Sequence, residues 1–169
     1  MKTKYTRRDF LTSLVNRFQQ QDSMDQKTGF DELSRRADLH IKHSEYQEAI
    51  HCLKELLTKS PDHLQARRKL GYCYQQTQEL DQAIEEFKSV LQILEKDNFS
   101  LLYLGLIMCK KEQIDQAFKY WKKYFNVDKP HIQRRLNLYI GYYESGVELS
   151  GSELVKEVEE AISEQKGQG

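Results

Sequence analysis

Proline is scarce in this chain of 169 residues: Pro61 and Pro130 are the two it has. Long stretches are therefore free of the residue that breaks a helix. Cysteine is scarce too. Cys52, Cys73 and Cys109 are odd in number and form no Cys-x-x-Cys, which argues against a disulfide framework or a zinc site. No apolar run reaches about 18 residues, so nothing in the sequence reads as a membrane-spanning helix. Neither charge sign is in excess: 26 basic residues face 26 acidic ones. No global field then favours a nucleic acid or an anionic surface, and no nucleic-acid partner is expected. Phosphate-binding glycine loops, His-Glu-x-x-His and nucleophile elbows are absent, so the chain does not read as an enzyme and no cofactor is expected.

What remains is 31% charged and only 38% hydrophobic. That suits thin helical layers, which carry much surface per residue, better than a thick globule. Residues 1–21 hold Lys2, Lys4, Arg7, Arg8 and Arg17 against Asp9 alone. Within them Phe10, Leu11, Leu14, Val15 and Phe18 recur on one helical stripe. This predicts a basic amphipathic helix. Residues 22–29 are polar and end in Gly29, which predicts a flexible linker.

From Phe30 onward the chain repeats itself every 34 residues. Ala49, Ala83 and Ala117 keep that step, as do Ala37, Gly71 and Gly105. So do Leu53, Phe87 and Trp121, and Tyr46, Leu80 and Ile114. Small residues stand where helices must cross closely, and bulky ones, with Leu70, Tyr74, Ile84 and Leu91, where a core needs filling. The clearest unit runs from Leu64 to Asp97. Asp62 with Gln65 reads as a capping box and Asn98 as a cap for the next helix. After Pro130 the period loosens: Gly141 falls two residues late, and Gly146, Ser150 and Gly151 interrupt the chain. A last stripe of Leu154, Val155, Val158 and Ile162 predicts a capping helix with an acidic outer face, and a disordered tail from Ser163.

A 34-residue period with a small residue in the first helix, an alanine early in the second and a bulky residue four later resembles the tetratricopeptide repeat family. The resemblance implies an all-α, right-handed α-solenoid of helix-turn-helix repeats over about 30–63, 64–97 and 98–131. A degenerate fourth repeat spans 132–165 and contains the capping helix. The sequence departs from the family at the turns, where Ser44, Gln78 and Glu112 stand in place of glycine. Each would enter the left-handed region at a cost of about 1 kcal/mol.

The resemblance further implies a protein-binding groove lined by the first helices. Its phase selects Arg68, Tyr72, Gln75 and Gln76 from the second repeat, and Phe99, Leu102, Leu106, Cys109 and Lys110 from the third. In the first repeat it selects Asp31, Ser34, Asp38 and Lys42. Tyr72, Phe99, Leu102 and Leu106 would hold an amphipathic helix or apolar peptide; the alternative is that they pack beneath the fourth repeat and the C-terminal helix. Some family members clamp chaperone C-terminal carboxylates with Lys, Asn and Arg. Here the places hold Arg68, Tyr72, Leu102 and Leu106, so that activity is not carried over.

Thr6-Arg7-Arg8-Asp9-Phe10-Leu11 resembles a twin-arginine export motif, but residues 12–21 form no apolar segment and no cleavage site follows. The resemblance associates the chain with bacterial redox-enzyme machinery. Physically, the helix made by Arg7, Arg8, Phe10, Leu11, Leu14 and Phe18 has two uses. It can lie on an anionic membrane, or dock in the groove of its own or a second chain.

His40 and His43 lie one helical turn apart without a third ligand, which favours solvated side chains over metal. Cys73 and Cys109 read as buried thiols. Trp121 with Tyr120, Tyr124 and Phe125 reads as an aromatic cluster filling the core from one second helix. The basic pairs at 67–69, 110–111, 122–123 and 134–135 are balanced by acids, which leaves an RNA-binding repeat as the weaker alternative. The sequence therefore predicts a cytoplasmic, non-catalytic protein adaptor or assembly factor. Self-association and peripheral membrane contact stand as alternatives.

Overall fold

The computed structural model describes Gly29 and residues 31–167. The predicted N-terminal helix, with Arg7, Arg8, Phe10, Leu11, Leu14 and Phe18, lies outside the described residues, as does most of the linker. Among the described residues there are eight helices and no strand. None is long and apolar enough to cross a membrane. The chain divides into two compact units, 1–61 and 62–169.

In the first unit, α1 (31–42) and α2 (Tyr46–Lys59) form a helical hairpin. Leu33 and Ala37 are buried from α1, and Ala49, Ile50, Cys52, Leu53 and Leu56 from α2. That spacing is a single apolar stripe per helix. His40 Nδ1 sits 2.6 Å from Glu45 Oε2 across the hairpin turn.

The second unit holds α3 (Leu64–Gln76), α4 (Leu80–Ile93), α5 (Asn98–Lys110), α6 (Ile114–Trp121), α7 (Pro130–Glu144) and α8 (Gly151–Gly167). Each consecutive pair packs on itself, and α4 and α5 join the first two pairs. The close crossings fall where the small residues stand. A Cβ on Gly71 would lie 2.8 Å from Phe87 Cε1, and one on Gly105 would lie 2.0 Å from Trp121 Nε1. The indole N–H donates to the Leu102 carbonyl at 3.1 Å. This satisfies the one polar atom of a fully buried tryptophan.

The three departures at the turns are visible as backbone geometry. Ser44, Gln78 and Glu112 have φ of 62°, 64° and 55°. Each follows a helix end closed in the same way. At the second turn, Glu79 N–H donates to Tyr74 O and Gln78 N–H to Gln75 O, a Schellman closure of the last carbonyls. The pattern recurs once more, 34 residues on. Gly146 has φ of 76°, with Val147 N–H donating to Tyr142 O and Gly146 N–H to Tyr143 O. The fourth repeat thus keeps the turn of the period, and here the turn carries glycine.

It does not keep the crossing. Gly141 is exposed and a Cβ there would meet nothing within 4 Å. The place 34 beyond Gly105 is Tyr139, whose bulk forbids so close an approach. The small residue survives instead on the other helix: Gly151, 34 beyond Ala117, is buried at the start of α8.

Three expected details are corrected. The cap of α3 is His63, whose Nδ1 accepts from Ala66 N–H at 3.0 Å, not an Asp62–Gln65 box. The cap of α5 is Asp97, which accepts from Ser100 N–H and Oγ–H at 2.9 and 2.6 Å. Asn98, expected there, instead brackets the backbone of Phe125, donating to its carbonyl and accepting from its N–H. The tail is not disordered from Ser163: α8 runs to Gly167, because Glu164 and Gln165 reach the start of α7. Glu164 Oε2 lies 3.5 Å from His131 Nδ1, and Gln165 Oε1 accepts His131 N–H at 3.2 Å.

Candidate partner-binding surface

The expected groove residues of the second unit lie on α3 and α5, and the structure separates their fates. Arg68 is held in an ion pair at 2.6 Å with Asp97, the buried cap of α5. It ties α3 to the next helix rather than reaching outward. Gln75 is buried, and its Oε1 accepts no hydrogen bond among the described residues; Gln76 is exposed. Tyr72 is half-buried, edge-on to Tyr103 with ring centroids 5.6 Å apart. Phe99 packs against Tyr103 at 4.5 Å yet leaves 38% of itself exposed.

Leu102 and Leu106 are buried, and α8 packs on α5 as well as on α7. It runs antiparallel to α5. Gly151 at its start donates its N–H to Glu112 at 3.3 Å, and a Cβ there would lie 2.3 Å from the Cys109 carbonyl. At its far end Ile162, Gln165 and Lys166 stand beside Asn98, Phe99 and Leu102. Of the two uses the sequence left open for Leu102 and Leu106, packing beneath the C-terminal helix is the arrangement present. Lys110 is pinned to Glu159 of α8 at 3.2 Å.

The acidic side of α8 is engaged in the same way. Arg135 of α7 meets Glu157, with Glu160 and Glu164 at 3.9 and 3.8 Å. On the opposite flank Tyr143 donates to Asp115 at 2.8 Å and stacks on Phe118, while Lys122 pairs with Glu144 at 2.8 Å.

What stays open is a pocket of about 200 Å³ at the end of α5. Phe99, Leu102, Tyr103, Tyr124, Ile132 and Ile162 give it apolar walls, and Asn98, Asn126, Gln165, Lys129 and Lys166 a polar rim. The groove phase found Phe99 and Leu102 only. Of the other walls, Tyr103 comes from α5, Ile132 from α7, Ile162 from α8, and Tyr124 from the stretch after α6, which ends at Trp121 after eight residues. The aromatic cluster expected on one second helix is thereby divided. Trp121 and Tyr124 are buried, but Phe125 lies beyond the helix with 72% of its surface exposed, and Val127 with 71%. An apolar pair in a segment ending at Pro130 was the available signal.

Burial pushes the thiols of Cys73 and Cys109 up to about 12; Lys69 opposes this at Cys73 and Glu112 reinforces it at Cys109. Burial likewise raises the Tyr124 phenol to about 12. All three cysteines are buried and none is in a disulfide.

Residues 34–98 match the model of the tetratricopeptide repeat family. Over those residues, from α1 to the start of α5, the chain is similar to tetratricopeptide repeats. Among solved structures the chain is similar to MamA, with a TM-score of 0.61 and 18% sequence identity, over 82% of this chain and 80% of that one. At that identity the likeness concerns the fold alone. No curated protein matches the sequence.

Proposed function

We propose that this chain is a non-catalytic adaptor that binds another protein through its tetratricopeptide repeats. The observation that carries the reading is an apolar-walled pocket of about 200 Å³ with exposed apolar side chains beside it in the sequence. Phe99 lines it and is 38% exposed, and Phe125 and Val127, 72% and 71% exposed, flank its rim residue Asn126. An apolar patch framed by polar residues is the usual mark of an interaction surface. Cys73 and Cys109, buried with their thiols raised to about 12, are poor nucleophiles and favour a binding role over covalent catalysis.

The finer role, an accessory or assembly factor for a multi-subunit redox complex, rests on the twin-arginine-like residues 6–11. The same segment supports a second reading, a peripheral membrane tether, since Phe10, Leu14 and Phe18 share a stripe flanked by arginines.

Affinity purification of the full chain from its native cell, followed by calorimetry with each co-purifying protein made separately, tests the adaptor reading. A stoichiometric complex supports it; no protein binding in the purified pair overturns it. Flotation with anionic vesicles, with and without residues 1–21, tests the tether: equal binding by the truncated chain removes it.

A further inference from the structure

We propose that the pocket at the end of α5 receives an acidic segment of a partner protein, with one bulky aliphatic or aromatic side chain seated in the pocket. This rests on the adaptor reading and names its site and the chemistry of its partner.

Size comes first. Pockets that take whole small ligands run to about 300–1,000 Å³. This one holds about 200 Å³, room for a single side chain. Its walls are apolar and aromatic, so that side chain must be apolar. Phe125 and Val127, exposed on either side of the rim residue Asn126, extend apolar contact beyond the pocket itself. The segment carrying them is held in place: Asn98 brackets Phe125, and Asn126 N–H donates to Gln133 Oε1 at 2.8 Å. A pre-set surface loses little freedom on binding.

Charge then selects the partner. Lys129 and Lys166 stand at the rim, and Arg134 lines the shallow hollow on the far side of Asn126. None of the three makes an ion pair among the described residues. By contrast, Lys110, Lys122 and Arg135 are each taken by carboxylates of α7 and α8. Of the acids around the rim, Asp97 is paired with Arg68, Glu159 with Lys110, and Glu164 is turned to Arg135 and His131, while Asp128 stands on the same segment as Lys129. An apolar anchor flanked by Glu or Asp meets this surface with matched sign. A recess that takes one side chain favours a peptide, which can seat one there, over a bilayer, which would meet only the exposed Phe125 and Val127.

Panning a display library of random twelve-residue peptides against the immobilised full chain tests this. The expected winners carry one large apolar residue among acidic ones. They bind about tenfold or more weakly to the Lys129→Glu/Lys166→Glu chain, since each exchange turns an exposed attraction into a repulsion, and also weaken in 0.5 M salt. Phe125→Ser weakens them without changing helicity. All three side chains are exposed, so the variants fold. Winners without acidic residues, or indifferent to both variants, overturn this proposal while leaving the adaptor reading intact. A library that yields no binder while a purified partner still binds does the same. Anionic vesicles retained by the wild-type chain and released by the double variant, without peptide enrichment, reassign the patch to a membrane.

Discussion

A methyl group added at Gly105 falls 2.0 Å from Trp121, a side chain with no exposed surface to yield into. The same change at Gly71 meets the edge of Phe87 at 2.8 Å. Alanine gains about 1 kcal/mol over glycine inside a helix, and overpacking costs about 1–3 kcal/mol. Gly105→Ala is therefore expected to destabilise by about 2 kcal/mol or more, and Gly71→Ala by about 1 kcal/mol or less, read from urea midpoints. The turns give the opposite sign. Gln78→Gly relieves a left-handed residue and should stabilise by about 0.5–1 kcal/mol. Glu112→Gly relieves the same strain but removes the acceptor for Gly151 N–H, so its gain should be smaller or absent in the same titration. These positions were readable in advance because 34-residue spacing fixes both what must be small and what must turn. The caps were not. His63 and Asp97 each stand one residue from the expected choice, and a capping pattern tolerates that shift without any change in composition.

At the scale of elements, α8 is the piece that spacing alone misplaced. Its apolar stripe was visible, and α5 as its second neighbour stood only as one of two alternatives for Leu102 and Leu106. That it lies on α5 as well as α7 follows from Tyr139 barring a close crossing and Gly151 permitting one, and both residues reveal this only once the partners are in place. Its length was underestimated because the contacts of Glu164 and Gln165 with α7 are long-range. The packing makes Leu106→Glu a core lesion, since Leu106 has no exposed surface. It should unfold the second unit, with loss of helical circular dichroism. Arg135→Glu should also loosen α8, because Arg135 is the shared counter-charge of Glu157, Glu160 and Glu164. The expected cost is about 3 kcal/mol or less, given partial exposure. Protease cleavage at the end of α8 before general digestion would report it.

For the whole molecule, alkaline pH is the simplest probe of how many groups are shut away. Thiols raised from 9.0 to about 12 at Cys73 and Cys109, and the Tyr124 phenol raised from 10.0 to about 12, stay protonated when folded and ionise when unfolded. Their contribution is complete below pH 9 and is lost as pH climbs toward 12. Urea midpoints should be level from pH 7 to 9 and fall above it, with thiolate absorbance appearing together with unfolding; thiolate signal in a still-folded chain would refute the burial argument. The seat of α8 on α5 has one further consequence. A stack of identical units is a one-dimensional polymer with a growing end, and each added unit offers the next the face it has just used. Here that step lapses: α7 touches α6 only slightly where α5 rests broadly on α4, and the antiparallel α8 takes the seat on α5 instead.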